Sequence, residues 1–206
     1  SFFSLTILLA VFTSPAWKGA QTFDAPAGNR TRKLALAATA VVLLQLVLGA
    51  LMRHTGSGLA IPDFPLSYSH WLPPTSAADL QSINDYRLTY YDLPPVELSQ
   101  MWIHFAHRLG AVLVSIVVLM NVSHILKNYK DHRLRELAII QGMLLLVQFL
   151  LGALTVWTGK GVQIATSHVA VGALLLGTSV ALTAWTYRLL AVPVHEARQS
   201  LAAEPA

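Results

Sequence analysis

Residues 34–52, "LALAATAVVLLQLVLGALM", run 19 positions without a charge. Residues 137–157, "LAIIQGMLLLVQFLLGALTVW", run 21, and residues 161–187 run 27, interrupted only by His168 and small polar groups. About 20 such residues cross a bilayer core as a helix. A fourth apolar block, 109–126, is headed by "HFAHRLGAV" at 104–112. Charged residues make up 12% of the chain, against roughly a quarter in soluble domains. The pattern predicts an all-α integral membrane protein, a four-helix transmembrane bundle with the lipid bilayer as its surroundings.

Residues 2–12, "FFSLTILLAVF", are apolar but too short to span. A signal-peptide core would want a basic segment in front, and only Ser1 precedes it. With no initiating Met, the stretch is expected to be the end of a truncated transmembrane helix. The expected organisation is that partial helix plus a basic loop (1–33), a four-helix membrane domain (34–190) and a polar tail (191–206).

The +4 net charge is distributed as a topology signal, which argues against nucleic acid as a partner. Loop 14–33 holds Lys18, Arg30, Arg32 and Lys33 against Asp24, and loop 127–136 holds Lys127, Lys130, Arg133 and Arg135 against two acids. Loop 53–100 reverses the balance, with Asp63, Asp79, Asp85, Asp92 and Glu97 against Arg53 and Arg87. The positive-inside rule then puts the basic loops in the cytoplasm and the long loop outside, as expected for a bacterial plasma membrane. Its aromatics and the pairs "WLPP" and "DLPP" suggest an ordered lid. The chain has no cysteine, which excludes thiolate ligands, disulfides and iron–sulfur clusters from these 206 residues.

An internal repeat organises the rest. Residues 45–58, "QLVLGALMRHTGSG", and 148–161, "QFLLGALTVWTGKG", share eight of fourteen positions at an offset of 103. The common pattern is Q-x-x-L-G-A-L-x-x-x-T-G-x-G. Its glycines read as helix-ending turns, not as a phosphate loop, since no strand precedes them and the Gly-Lys-Ser/Thr is missing. After each copy the next helix enters the membrane with a histidine, His107 after the first and His168 after the second. The bundle is thus two repeated helix pairs.

With helix starts near Met101 and Val162, both histidines lie roughly 9 Å in, at about six residues of 1.5 Å rise. Ionisable groups inside a membrane helix are costly and usually face the bundle interior or a functional site. A single such histidine can be merely a packing or hydrogen-bonding residue; two at one depth point to a shared ligand. Tetrahedral zinc wants three or four ligands, and no Cys or intramembrane carboxylate is at hand. A haem needs only axial ligands, which two histidines across a bundle supply to its iron. Gly110 and Gly172 leave room for a macrocycle, and Arg108 suits an anionic propionate; snorkelling to the interface is the alternative account, and both roles can hold at once. His104, one turn before His107, is an alternative ligand, a supporting partner or a proton carrier. His54, beside Arg53, can border the same pocket.

The segments "LGALMRHTGSGLAIPDFP", "HFAHRLGA" and "LGALTVWTGKGVQIATSHVAVGALL" resemble the haem A synthase family of membrane enzymes, over most of residues 34–190. Members of that family are eight-helix proteins of two similar halves, each with a haem-binding histidine pair, and they oxidise the methyl group of haem O to the formyl group of haem A for cytochrome oxidases. The resemblance implies that His107, rather than His104, and His168 are the axial ligands. It also implies that the chain is the C-terminal half, holding a haem b cofactor. In the N-terminal half of the family a Glu lies three positions before the motif histidine and the outer loop commonly has a cysteine pair; here His104 stands at the Glu position and there is no cysteine. Haem O and haem A would be substrate and product of the full-length protein, with an electron acceptor that the sequence does not name and haem O synthase or a second copy as protein partners. No catalytic residue is assigned. The competing expectations are a b-type electron-transfer cytochrome without synthase activity, and a haem-free membrane transporter or assembly factor.

Overall fold

The structure, a computed structural model, describes residues 2–191. In chain order the helices are α1 (Phe2–Thr13), α2 (Pro15–Lys18), α3 (Gly28–His54), α4 (Ala77–Tyr91), α5 (Leu98–Asn128), α6 (His132–Trp157) and α7 (Val162–Leu189). Two-residue strands β1 (Phe23–Asp24) and β2 (Leu190–Ala191) pair in parallel. Helices α3, α5, α6 and α7 carry the apolar runs and are long and apolar enough to cross a membrane, with mean hydropathies of 2.4, 2.2, 2.2 and 1.7. The shortest, the 26 residues of α6, extends to about 39 Å, more than a hydrocarbon core of roughly 30 Å. The protein is an all-α membrane bundle.

Three of these helices extend beyond their uncharged runs. The first begins at Gly28 rather than at residue 34, α5 at Leu98 and α6 at His132. Polar side chains in the extra turns find partners: Thr31 Oγ1 donates to Ala27 O at 2.9 Å, and Arg32 Nη2 donates to Tyr187 O at 3.2 Å and to Leu190 O.

Burial distinguishes α7 from the others. Within their most apolar windows α3, α5 and α6 are 17–22% buried, whereas α7 is 61% buried. Small residues allow close helix approach in membranes, and α7 carries Gly172, Ala173, Gly177, Ser179, Ala181 and Ala184. The outward faces of the others keep large apolar residues exposed, among them Leu44, Val47, Leu113, Ile116, Met143 and Leu146, which lipid solvates.

The described chain divides into two compact units. The first comprises residues 2–42, 115–145 and 173–191. Its core gathers Ile125, Leu134, Ala138, Leu182, Trp185 and Leu189. At Gly177 a Cβ would stand 3.0 Å from Phe3 Cε1, so α1 lies against α7 there. A buried polar ladder crosses three helices: Asn121 Nδ2 donates to Gln141 Oε1 at 3.1 Å, Gln141 Nε2 to Ser179 Oγ at 2.8 Å, and Ser179 Oγ to Leu175 O at 2.7 Å.

The second unit comprises residues 43–114 and 146–172, and all the candidate site residues fall in it. Its long loop is ordered: a 3-10 turn at Ser57–Leu59 leads through an irregular stretch to α4. Ser76 caps α4 by accepting from Asp79 N at 3.1 Å, and Asp92 closes it in the left-handed region, φ 50°.

Candidate functional site

The two repeat copies share one local conformation. Thr55 and Thr158 each send both N–H and Oγ1 to the carbonyl four residues back, Leu51 at 2.9 Å by either atom and Leu154 at 2.9 and 2.7 Å. The glycines that follow, Gly56 and Gly159, have φ of 68° and 58°, a region where a side chain is strained. Each donates to the carbonyl three back, Arg53 at 3.3 Å and Val156 at 3.1 Å. The copies diverge after that. Ser57 opens the 3-10 turn, while Lys160 remains left-handed and lays its side chain over Gly58, where a Cβ would meet Lys160 Cδ at 3.0 Å.

The glycines of "LGAL" meet the histidines. A Cβ on Gly49 would stand 3.2 Å from His107 Cε1, and a Cβ on Gly152 would stand 3.2 Å from His168 Cε1. Carbon atoms prefer 3.5–4.0 Å, so a methyl group at either position would require the imidazole to give way by a few tenths of an ångström. Each repeat unit thus packs its returning histidine onto the bare backbone of its outgoing helix. His107 and His168 are both partly buried.

The repeat glutamines complete the pattern. Gln45 Nε2 donates to His107 O at 2.9 Å and to His107 Nδ1 at 3.1 Å, while its Oε1 fills the space a Cβ on Gly110 would need. In the second copy Gln148 Nε2 would lie 2.9 Å from a Cβ on Gly172. There His168 Nδ1 and Gln148 Oε1 are both buried without a hydrogen-bond partner.

The other predicted residues have different surroundings. His104 is 3% exposed and accepts from Ile61 N at Nδ1, 3.2 Å away. Arg108 holds the loop by its carbonyls: Nη1 donates to Leu66 O at 2.8 Å, and Nη2 to Ile61 O at 2.9 Å and Asp63 O at 2.6 Å. Its guanidinium also lies 5.6 Å from the Phe64 ring centroid, and its Nε is buried without a partner. His54 ends α3 exposed. Among the described residues, no three His, Cys, Asp or Glu side chains group as a metal-ion site.

A buried arginine that the sequence did not single out organises the loop above the histidines' helix ends. Arg87, 2% exposed, donates from Nε to Pro94 O at 3.0 Å and from Nη1 to Leu59 O at 3.0 Å, Ala60 O at 3.1 Å and Tyr68 Oη. Tyr68 Oη donates to Ala60 O at 2.8 Å. Burial raises the Tyr68 phenol above its ordinary pKa, and the Arg87 hydrogen bond and charge partly oppose that. Nearby, Asn84 exchanges two hydrogen bonds with the Val96 main chain, at 3.1 and 2.9 Å.

A family model described as cytochrome oxidase assembly protein, COX15-CtaA, matches residues 1–180. The chain belongs to the COX15-CtaA family. Its relatives include a haem A synthase from Listeria monocytogenes, 25% identical over 68% of this chain and 39% of the relative. Another, from Staphylococcus haemolyticus, is 27% identical over 71% of this chain and 41% of the relative. A third, from Rickettsia bellii, is 29% identical over 75% of this chain and 41% of the relative. The chain thus spans about 40% of the length of these relatives. Both repeat copies and both histidine helices of this COX15-CtaA member lie inside the matched region, apart from the last turns of α7.

Two features of this COX15-CtaA site escaped sequence reasoning. The glutamines are part of the repeat pattern, and a polar residue at one register in two membrane helices is the signal that marks them. Arg87 lies in "SINDYRLTYYD", whose lack of apolar periodicity gives no hint that its arginine is enclosed.

Proposed function

We propose that this chain is the haem b-binding half of a haem A synthase, with His107 and His168 as axial ligands of the haem iron. The observation that carries the reading is the matched placement of the two histidines, each seated on the "LGAL" glycine of its own repeat unit. The names of the relatives support the activity. The donor set suits a haem: two neutral imidazoles satisfy it, whereas a bare metal ion would want more ligands than are grouped here. The unpartnered Nδ1 of His168 marks a ring whose hydrogen bonding is unfinished.

A haem, when bound, supplies one-electron redox chemistry. The residues of the chain hold it and set its surroundings. Gly49 and Gly152 let the two rings approach their partner helices closely. Arg108 places a cation one residue from His107, held by three loop carbonyls, where an anionic propionate would be neutralised. His104 supports the loop, and His54 would border the site from the end of α3. In the full-length protein this half would serve electron transfer or structural support for oxidation of the haem O methyl group to the haem A formyl group, with the long loop on the non-cytoplasmic side.

A purified full-length protein should show a low-spin haem band that His107→Ala and His168→Ala each abolish. A preparation without that band, or one that both variants leave unchanged, would defeat the reading. A b-type electron-transfer cytochrome is the second reading, favoured by His104, which stands where a carboxylate would serve chemistry and is instead bonded to Ile61. Conversion of haem O by the full-length protein decides between the two.

A further inference from the structure

Gln148 lies one turn before Gly152 on α6, on the same helix face, and Gly152 touches the His168 ring. Its amide also abuts Gly172, one turn after His168 on α7. The amide therefore lies beside the turn of α7 that follows His168 and one turn from the glycine that the His168 ring touches. Two polar atoms in this small space have no partner, Gln148 Oε1 and His168 Nδ1. An amide oxygen only accepts, and an imidazole nitrogen that carries the proton donates. The related copy shows the reach, since the Gln45 amide nitrogen lies 3.1 Å from His107 Nδ1; in the second copy the amide oxygen would take that place.

We infer that Gln148 is a positioning residue for His168: its side-chain carbonyl accepts the Nδ1 proton and leaves Nε2 bare toward the metal. The inference rests on the bis-histidine reading above. Metal-ligating histidines almost always donate their other N–H to an acceptor, which fixes the tautomer and ring orientation and makes the ligand more basic. A more basic ligand favours the oxidised metal, so loss of the acceptor raises the reduction potential. The Gln148 main-chain carbonyl also faces His168, and a side-chain substitution leaves it in place.

The test uses the full-length protein with Gln148→Met, similar in length but without the acceptor, and Gln148→Glu, a stronger acceptor. Haem content, midpoint potential and the low-spin ferric EPR signal are read for each. With haem content unchanged, Gln148→Met should move the midpoint upward and alter the EPR signal, and Gln148→Glu should move the midpoint downward. A Gln148→Met protein with the wild-type midpoint and EPR signal overturns the inference and leaves the ring to the main-chain carbonyl. If Gln148→Met fails to accumulate, Gln148→Glu decides: a downward shift supports the inference and an unchanged midpoint overturns it. Wild-type protein without haem, or with haem indifferent to His168→Ala, overturns the bis-histidine reading itself and the inference with it.

Discussion

The main-chain nitrogen of Ile61 donates to Nδ1 of His104 at 3.2 Å, so His104 holds loop main chain, whereas Nδ1 of His107 takes its hydrogen bond from the Gln45 side chain. A ring nitrogen that accepts leaves the proton on the other one, and the rest of the His104 ring faces the Ser57 main chain. His104 therefore ties the 3-10 turn and the following strand of loop to α5. His107, one turn deeper, meets Gln45 and Gly49.

Replacing His104 with Leu should strand the Ile61 N–H inside a buried cluster, at a cost of about 1–3 kcal/mol. The full-length variant should keep its haem band while melting earlier and being cut faster within residues 61–97. A His104→Leu protein with an intact loop and no haem band would assign the ligand role to His104.

Much of this arrangement was legible in the sequence because the membrane imposes it. Uncharged runs of 19 to 27 residues leave helices as the economical solution, and the 103-residue offset carried over into Thr55 and Thr158, Gly56 and Gly159, and the two histidine contacts. The loop was harder. Arg87, Tyr68 and Asn84 act through main-chain carbonyls and amides far along the chain, and such partners leave no trace in residue type or spacing. Arg108 was legible as a cation beside His107, but its hold on Ile61, Asp63 and Leu66 is likewise a matter of main-chain atoms.

The glycine contacts make a paired prediction. Gly49→Ala and Gly152→Ala each force a methyl group to 3.2 Å from an imidazole carbon, an overpacking that costs about 1–3 kcal/mol. Each should perturb the haem band. Gly142→Ala is the contrast, because its nearest side-chain atom, Val122 Cγ1, would be 3.7 Å away. That variant should be neutral or more stable by up to about 1 kcal/mol from helix propensity. Equal behaviour of all three in spectra and melting would remove the special status of Gly49 and Gly152.

Arg87 should be the most sensitive residue of the loop. Arg87→Met removes four hydrogen bonds from a charged donor and leaves the carbonyls of Leu59 and Pro94 to find others. Bonds to charged groups are each worth about 1.5–3 kcal/mol, so the loss should reach at least about 3 kcal/mol, seen as a lower melting temperature and rapid proteolysis of the loop. Arg87→Lys should rescue little, since an ammonium lacks the planar fork that reaches several carbonyls at once.

Tyr68 gives the loop a pH dependence. Its phenol is raised above the ordinary value of 10.0, chiefly by burial, so the folded loop binds the proton more tightly than the unfolded one. The stabilisation is then fully present below about pH 10 and is lost as pH rises through the folded value. Proteolysis of the loop should accelerate in that alkaline window for the wild type, and Tyr68→Phe should flatten the dependence at a cost of about 1 kcal/mol. Identical alkaline profiles for the two proteins would place the sensitive group elsewhere.

The polar ladder of the first unit tests how the membrane weighs hydrogen bonds. Gln141 is fully buried, accepts from Asn121 and donates to Ser179. In hydrocarbon each such bond would look indispensable, yet interhelical hydrogen bonds in membrane proteins average only about 0.6 kcal/mol. Gln141→Met keeps the volume and removes both bonds, so its loss should be about 1–2 kcal/mol, with the haem band untouched. Gln141→Ala adds a cavity and should cost more, about 2–4 kcal/mol by analogy with core truncations. Melting of the two variants in the same detergent separates the contributions. If Gln141→Met proves as damaging as Gln141→Ala, the ladder itself, rather than the packing around it, holds α5, α6 and α7 in register.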